Sequence, residues 1–248
     1  MSLGDLDTFR LGSGDALFLD FDGTLAEIGP DPNAIWLPRG THGDLELLAQ
    51  RLGGALAILS GRDLRDLARR TPAGVWRLGG HGLEVLPPGM EPPVATARPP
   101  DAVLASLEGI SNHPRVRLEI KGPVVAIHYR AAPDEEPACL VAAEAAALAV
   151  PGYVMQAGKM VVEVKPAGAH KGTALRRLME APPFAGRRPV MLGDDTTDED
   201  AMGAALTLGG AAVKVGLGDS VAPTRAPDPK GVRAWLAREA NLAGRAAR

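Results

Sequence analysis

The chain has 248 residues, 46% of them hydrophobic and 23% charged, as expected for a soluble globular protein with one large domain or a medium domain carrying a smaller one. Its 27 basic and 30 acidic residues leave a net charge of −3, which excludes an electrostatic footprint for nucleic acid over the chain as a whole. Cys139 is the single cysteine, so no intramolecular disulfide forms, and with no secretory leader or bilayer-length apolar stretch the expected location is cytoplasmic, without a membrane partner.

In chain order, Ala16 to Asp20 reads as a buried strand that ends abruptly in Asp20-Phe21-Asp22-Gly23-Thr24. In an open α/β sheet ligands sit beyond the carboxyl ends of parallel strands, so both carboxylates are expected in a crevice. Their alternate spacing sends them to one side of an extended chain. Gly23 permits a tight turn and Thr24 offers a hydroxyl, although an acidic β-turn would use the same residues. A helical pattern follows from about Thr41 to Leu52, then a strand from Ala55 to Ser60 and a helix from Asp63, its cap, to Arg70. Ser60-Gly61-Arg62 thereby places a hydroxyl and backbone N–H groups near a helix N-terminus, a suitable seat for phosphate.

The pattern then changes. Pro87-Pro88, Pro92-Pro93 and Pro99-Pro100 mark a stiff connector, followed by a helix near 101–109. Two strand pairs, Arg115–Lys121 with Val124–Arg130 and Tyr153–Ala157 with Lys159–Lys165, flank an alanine-rich helix from about Glu135 to Val150. Arg117, Glu119 and Lys121 share one strand face, as do Lys159 and Glu163, giving either convergent contacts for a polar ligand or a charged, solvent-facing sheet. His81, in a glycine-flanked turn, could reach a ligand hydroxyl or be a plain loop residue, and His128 is expected in the core of this small module. Alternation resumes with the helix Lys171–Glu180, the strand Pro189–Gly193, the helix Thr197–Leu206, the short strand Ala211–Val215 and a last helix near 230–242. The expected organisation is therefore an α/β core of residues 1–97 and 168–248 with a parallel sheet, interrupted by an α+β insertion at 98–167.

A second acidic run, Gly193-Asp194-Asp195-Thr196-Thr197-Asp198, also ends a strand. It could be a solvated helix start favoured by the helix dipole. Its placement beside the first acidic cluster instead suggests hard oxygen ligands from Asp20, Asp22 (through its carbonyl), Asp194, Asp195 and Asp198. Mg²⁺ suits such a set better than Ca²⁺, for which no EF-hand pattern exists, or Zn²⁺, since the histidines are scattered. Lys171 could offset the crowded negative charge, contacting Asp20 and a phosphate oxygen.

Asp20-x-Asp22-Gly23-Thr24, Ser60, Lys171 and Gly193-Asp194-Asp195 occur in the order of the four motifs of the haloacid-dehalogenase (HAD) phosphotransferases, which the chain resembles. The insertion between the second and third motifs resembles a C2B-type cap. Within that group, Leu59-Ser60-Gly61-Arg62, Gly80-His81-Gly82, Arg117-Leu118-Glu119-Ile120-Lys121 and Gly158 to Pro166 are similar to the trehalose-6-phosphate phosphatase family.

The resemblance implies a HAD-like Rossmannoid core and a Mg²⁺-dependent phosphoric monoester hydrolase acting through an aspartyl-phosphate. Asp20, Asp22, Ser60 and Lys171 are then catalytic, while Gly23, Thr24, Gly61, Arg62, His81, Arg117, Glu119, Lys121, Lys159 and Glu163 bind substrate. It further implies a small-molecule sugar phosphate as substrate, supplied by a trehalose-6-phosphate synthase, and the chain is expected to act as a monomer. Another C2B sugar phosphatase acting on sucrose phosphate, mannosyl phosphoglycerate or hexose phosphates, a noncatalytic sugar-phosphate sensor and a phosphomutase are the alternatives.

Overall fold

A run such as Ala16-Leu17-Phe18-Leu19, apolar on both sides, can satisfy its backbone and bury its side chains only as an interior strand of a covered sheet. The computed structural model, which describes residues 4–94, 97–158 and 160–246, has this arrangement, with every residue of that strand buried. The chain divides into two compact units, Met1–Pro92 with His170–Arg248, and Pro93–Ala169, each with its own hydrophobic core.

The first unit contains β1 (Gly4–Asp5), β2 (Asp15–Leu19), α1 (Thr41–Arg51), β3 (Leu56–Leu59), α2 (Leu64–Arg70), β4 (Trp76–Gly79) and β5 (Glu84–Leu86) before the insertion. The second contains α3 (Asp101–Ser106), α4 (Glu108–Ser111), β6 (Arg117–Lys121), β7 (Val124–His128), α5 (Glu136–Leu148), β8 (Tyr153–Gly158) and β9 (Val161–Pro166). The first unit resumes with α6 (Lys171–Met179), β10 (Arg188–Gly193), α7 (Thr196–Thr207), β11 (Ala211–Val215), β12 (Thr224–Ala226) and α8 (Pro229–Ala246).

The eight-stranded sheet of the first unit runs β1-β12-β11-β10-β2-β3-β4-β5, parallel throughout except for the terminal β4–β5 pair. This order makes β2 and β10 neighbours although the insertion separates them in sequence. Phe18 stacks on Phe184 with ring centroids 5.3 Å apart, and Trp76 meets Phe184 edge-on at 5.7 Å. Phe18 and Phe184 are fully buried, each contributing about 1.5–3 kcal/mol, so the sheet centre is a firm base for the strand ends.

In the second unit the four strands are antiparallel in the order β6-β7-β9-β8. Leu118, Ile127 and Val162 pair in register on one face, as do Val125 and Val164, and α5 turns Cys139, Ala143, Ala146 and Ala147 toward the same core. The opposite face carries Arg117 beside His128 and the row Glu119, Ala126, Glu163, Gln156.

Three expectations differ from this structure. His128 is not a core residue: strand alternation puts it on the polar face, where its Nε2 lies 2.7 Å from Glu119 Oε2. The helix expected over 101–109 is two short helices, broken at buried Leu107, whose N–H turns tightly onto the Leu104 carbonyl. Strands β1, β4, β5 and β12 were not anticipated, being only two to four residues long, with polar residues such as Arg77 and Arg225 inside them.

Candidate active site

Parallel pairing of Leu19 with Leu192 aligns the ends of β2 and β10, and the Asp20 N–H donates to the Leu192 carbonyl at 3.0 Å. Asp20 and the Gly193-Asp194 turn therefore leave the sheet side by side. The chain after Asp20 doubles back, with Gly23 N–H donating to the Ala26 carbonyl at 2.7 Å. Gly23 has φ +83°, and a Cβ there would stand 2.2 Å from an Asp194 carboxylate oxygen, so only glycine allows the two loops to approach this closely. Thr24 Oγ1 lies 3.5 Å from Asp194 Oδ1, at the outer limit of a hydrogen bond.

Lys171, in the first turn of α6, is buried. Its Nζ donates to Asp20 Oδ1 and to Asp198 Oδ1, both at 2.7 Å. The second oxygen of Asp198 accepts the backbone N–H groups of Asp194 and Asp195 at 3.0 and 3.2 Å. Asp195 caps α7, its Oδ1 accepting from Thr197 N, Thr197 Oγ1 and Asp198 N, and Asp198 completes a reciprocal capping box. The acidic run is thus both a helix start and the wall of a buried polar cluster.

Carboxylate oxygens of Asp20, Asp194 and Asp198 all lie within 4.8 Å of one another. Burial, opposed by Lys171 and reinforced by Asp195 and Asp194, pushes the Asp20 carboxyl up to about 7. Asp194 is likewise raised to about 7, by burial and then by Asp198 and Asp195. Burial and Asp20 raise Asp198 well above the usual carboxylate range. For Lys171 burial disfavours the charge, but Asp198 and Asp20 more than offset it and hold its pKa well above the ordinary lysine value. Lys171 does not by itself balance these carboxylates, and an excess of negative charge remains in a poorly solvated space. A hard divalent cation or bound protons would relieve it, and the donor set, all carboxylate oxygen, fits such a cation.

The other core residues singled out in the sequence gather beside this cluster. Asp22 is gripped bidentately by Arg62, whose Nε and Nη2 each donate at 2.6 Å. Arg62 also donates to Asp66 Oδ2 at 2.8 Å and lies over the Phe21 ring at 5.2 Å. Ser60 is buried, its Oγ accepting the Arg62 N–H at 3.1 Å, while its carbonyl accepts the His81 N–H at 2.9 Å. His81 adopts φ +57° and its ring packs on Gly61, where a Cβ would approach Cε1 to 2.7 Å. Asp63 caps α2, its carboxylate accepting the Arg65 N–H at 2.8 Å, as the sequence indicates.

Within the second unit, Glu119 collects polar neighbours: His128 Nε2 at 2.7 Å, Arg117 Nη2 at 3.7 Å and Lys121 Nζ at 3.9 Å. Lys121 Nζ also lies 3.5 Å from Glu163 Oε1. The bond from His128, acting against burial and assisted by Lys121, holds the Glu119 carboxyl below its ordinary range. Lys159 falls outside the described residues. Sequence reasoning passed over Asp66 and Lys214 and gave His128 a core place instead of a polar one; the available signal for Lys214 was a lone cation inside the apolar strand Ala211–Val215.

The family model for trehalose-phosphatase matches residues 18–225. The trehalose-6-phosphate phosphatase of Escherichia coli (strain K12) is 38% identical over 236 residues, covering 93% of this chain and 88% of that protein. Among solved structures, a trehalose-6-phosphate phosphatase related protein has a TM-score of 0.75 at 24% identity, covering 94% of this chain and 100% of that one. A haloacid dehalogenase-like hydrolase from Bacteroides thetaiotaomicron has a TM-score of 0.64 at 15% identity, covering 90% of this chain and 98% of that one, a likeness of fold alone. Matched over most of its length in family sequence and in fold, the chain belongs to the trehalose-phosphatase family, phosphoric monoester hydrolases on a HAD-like α/β fold.

Proposed function

We propose that this protein is a Mg²⁺-dependent trehalose-6-phosphate phosphatase working through an aspartyl-phosphate on Asp20. The observation that carries the proposal is the buried Lys171 bridging Asp20 and Asp198, with the Asp194 carboxylate alongside. Lys171 fixes Oδ1 of Asp20, which assigns attack on phosphorus to Oδ2. As the new P–O bond forms, the bond from phosphorus to the sugar oxygen breaks, and Asp22 gives that oxygen a proton. Asp22 then takes a proton from the water that attacks phosphorus, releasing phosphate and restoring Asp20. Arg62 positions Asp22 for both transfers. Ser60 and the N–H groups of Asp22, Thr24 and Gly61 bind the equatorial phosphate oxygens, where preorganised donors act most strongly.

Asp20, Asp194 and Asp198 would hold the cation, with the Asp22 carbonyl contributing and Asp195 keeping the loop in place as the cap of α7. When bound, Mg²⁺ would screen the phosphate's charge from the nucleophile. The polar face of the second unit, carrying Arg117, Glu119, Lys121 and Glu163, is assigned to the sugar, with Lys159 and His81 as further contacts. The same reading has the substrate supplied by a trehalose-6-phosphate synthase and the protein acting as a cytoplasmic monomer; no described helix is long and apolar enough to cross a membrane.

Acid quenching of enzyme mixed with trehalose 6-phosphate radiolabelled in the phosphate tests the chemistry. Label should be retained on the protein at Asp20 and be absent from Asp20→Asn. Turnover by the parent with no trapped label, together with substantial turnover by Asp20→Asn, would contradict the assignment.

A further inference from the structure

Lys214 is the last but one residue of β11, in register with Gly193, and it is buried. A buried ammonium is costly unless it is paired and its protons are accepted. Here Nζ donates to the Asp194 carbonyl at 2.7 Å and lies 3.3 Å from Glu199 Oε1. Glu199 is fixed in turn: its Oε2 accepts the Val221 N–H at 2.9 Å and the Ser220 hydroxyl at 3.1 Å, and Ser220 Oγ accepts the Ala222 N–H at 3.0 Å. The ammonium therefore lies behind the loop that carries Asp194, tied through Glu199 to the chain after β11. Val215, the last residue of β11, and Gly216 after it line a cavity of about 280 Å³ together with Gly23 and Asp194.

None of the proposed chemical steps uses Lys214. Its hydrogen bond fixes the backbone of Asp194, whose carboxylate is packed against Gly23 with no room to shift toward it. We infer that Lys214 is a positioning residue that aims Asp194 for divalent-cation binding by holding its carbonyl, with Glu199 anchoring the lysine. This rests on reading Asp20, Asp194 and Asp198 as a cation site. Groups outside the ligand shell that orient metal-binding carboxylates typically control affinity by about 10- to 100-fold.

The test is calorimetric titration of the full chain with Mg²⁺, for the parent, Lys214→Met and Lys214→Arg, with circular dichroism in chelator to check folding. Lys214→Met should remain folded, bind Mg²⁺ about 10- to 100-fold more weakly, and recover most of its kcat when Mg²⁺ is raised in proportion. Lys214→Arg, which keeps a donor and a charge, should lose less. Unchanged Mg²⁺ affinity in folded Lys214→Met overturns the inference alone, whereas no Mg²⁺ binding by the parent overturns the cation site as well. Should Lys214→Met fail to fold, Glu199→Gln decides the matter: weaker Mg²⁺ binding than the parent supports the inference and equal binding overturns it.

Discussion

Asp20 and Asp194 link protonation, stability and cation binding in one cluster. In the unfolded chain a carboxyl ionises near 3.8, but in the fold both hold their protons up to about 7. Between those values the native state binds more protons, so in chelator stability falls as pH rises through the window and levels off above it. Each proton difference corresponds to about 1.4 kcal/mol per pH unit. Without metal, the melting temperature should be higher at pH 5 than at pH 8, and Mg²⁺ should raise it more at pH 8. An equal Mg²⁺-induced rise at both pH values would contradict this reading. Arg62→Gln makes a second case: without the bidentate grip, Asp22 loses its fixed position. Turnover should fall by tenfold or more with an altered pH–rate profile, since a charged hydrogen bond contributes roughly 1.5–3 kcal/mol. An unchanged profile would remove Arg62 from the proton-transfer machinery.

Helix starts and strand ends carry the site, and both were largely legible because each has a strong local signal. A continuous apolar run stopped by Asp20, and Asp63 before the segment Leu64–Arg70, specify a strand end or a helix cap within a few residues. Less legible was what only tertiary pairing decides. The sequence pairs the helix-start Lys171 with Asp20 at the end of β2, but not with Asp198, which reaches it from the first turn of α7. The short outer strands lack a periodic signal, and His128 could be allotted to a face only once the register with Arg117 was known. Asp195→Ala should cost about 1 kcal/mol through loss of the α7 cap, read as a lower denaturant midpoint. Phe18→Ala should cost about 3–5 kcal/mol, because the fully buried ring supports the centre of the sheet. Near-equal losses in the two variants would mean that this strand is not the mechanical base of the site.

The two units divide the work in the proposed function, phosphoryl chemistry in one and sugar recognition in the other. Lys121→Ala and Glu163→Gln should therefore lower kcat/KM for trehalose 6-phosphate by roughly ten- to a hundredfold while sparing a small aryl phosphate that offers no sugar hydroxyls. Equal losses on both substrates would assign these residues a structural role. The substrate itself is decided by phosphate release from the purified protein with Mg²⁺, measured as kcat/KM for trehalose 6-phosphate, glucose 6-phosphate and sucrose 6-phosphate side by side. Trehalose 6-phosphate should be hydrolysed with the highest kcat/KM of the three; a clear preference for either of the others would contradict the proposed substrate.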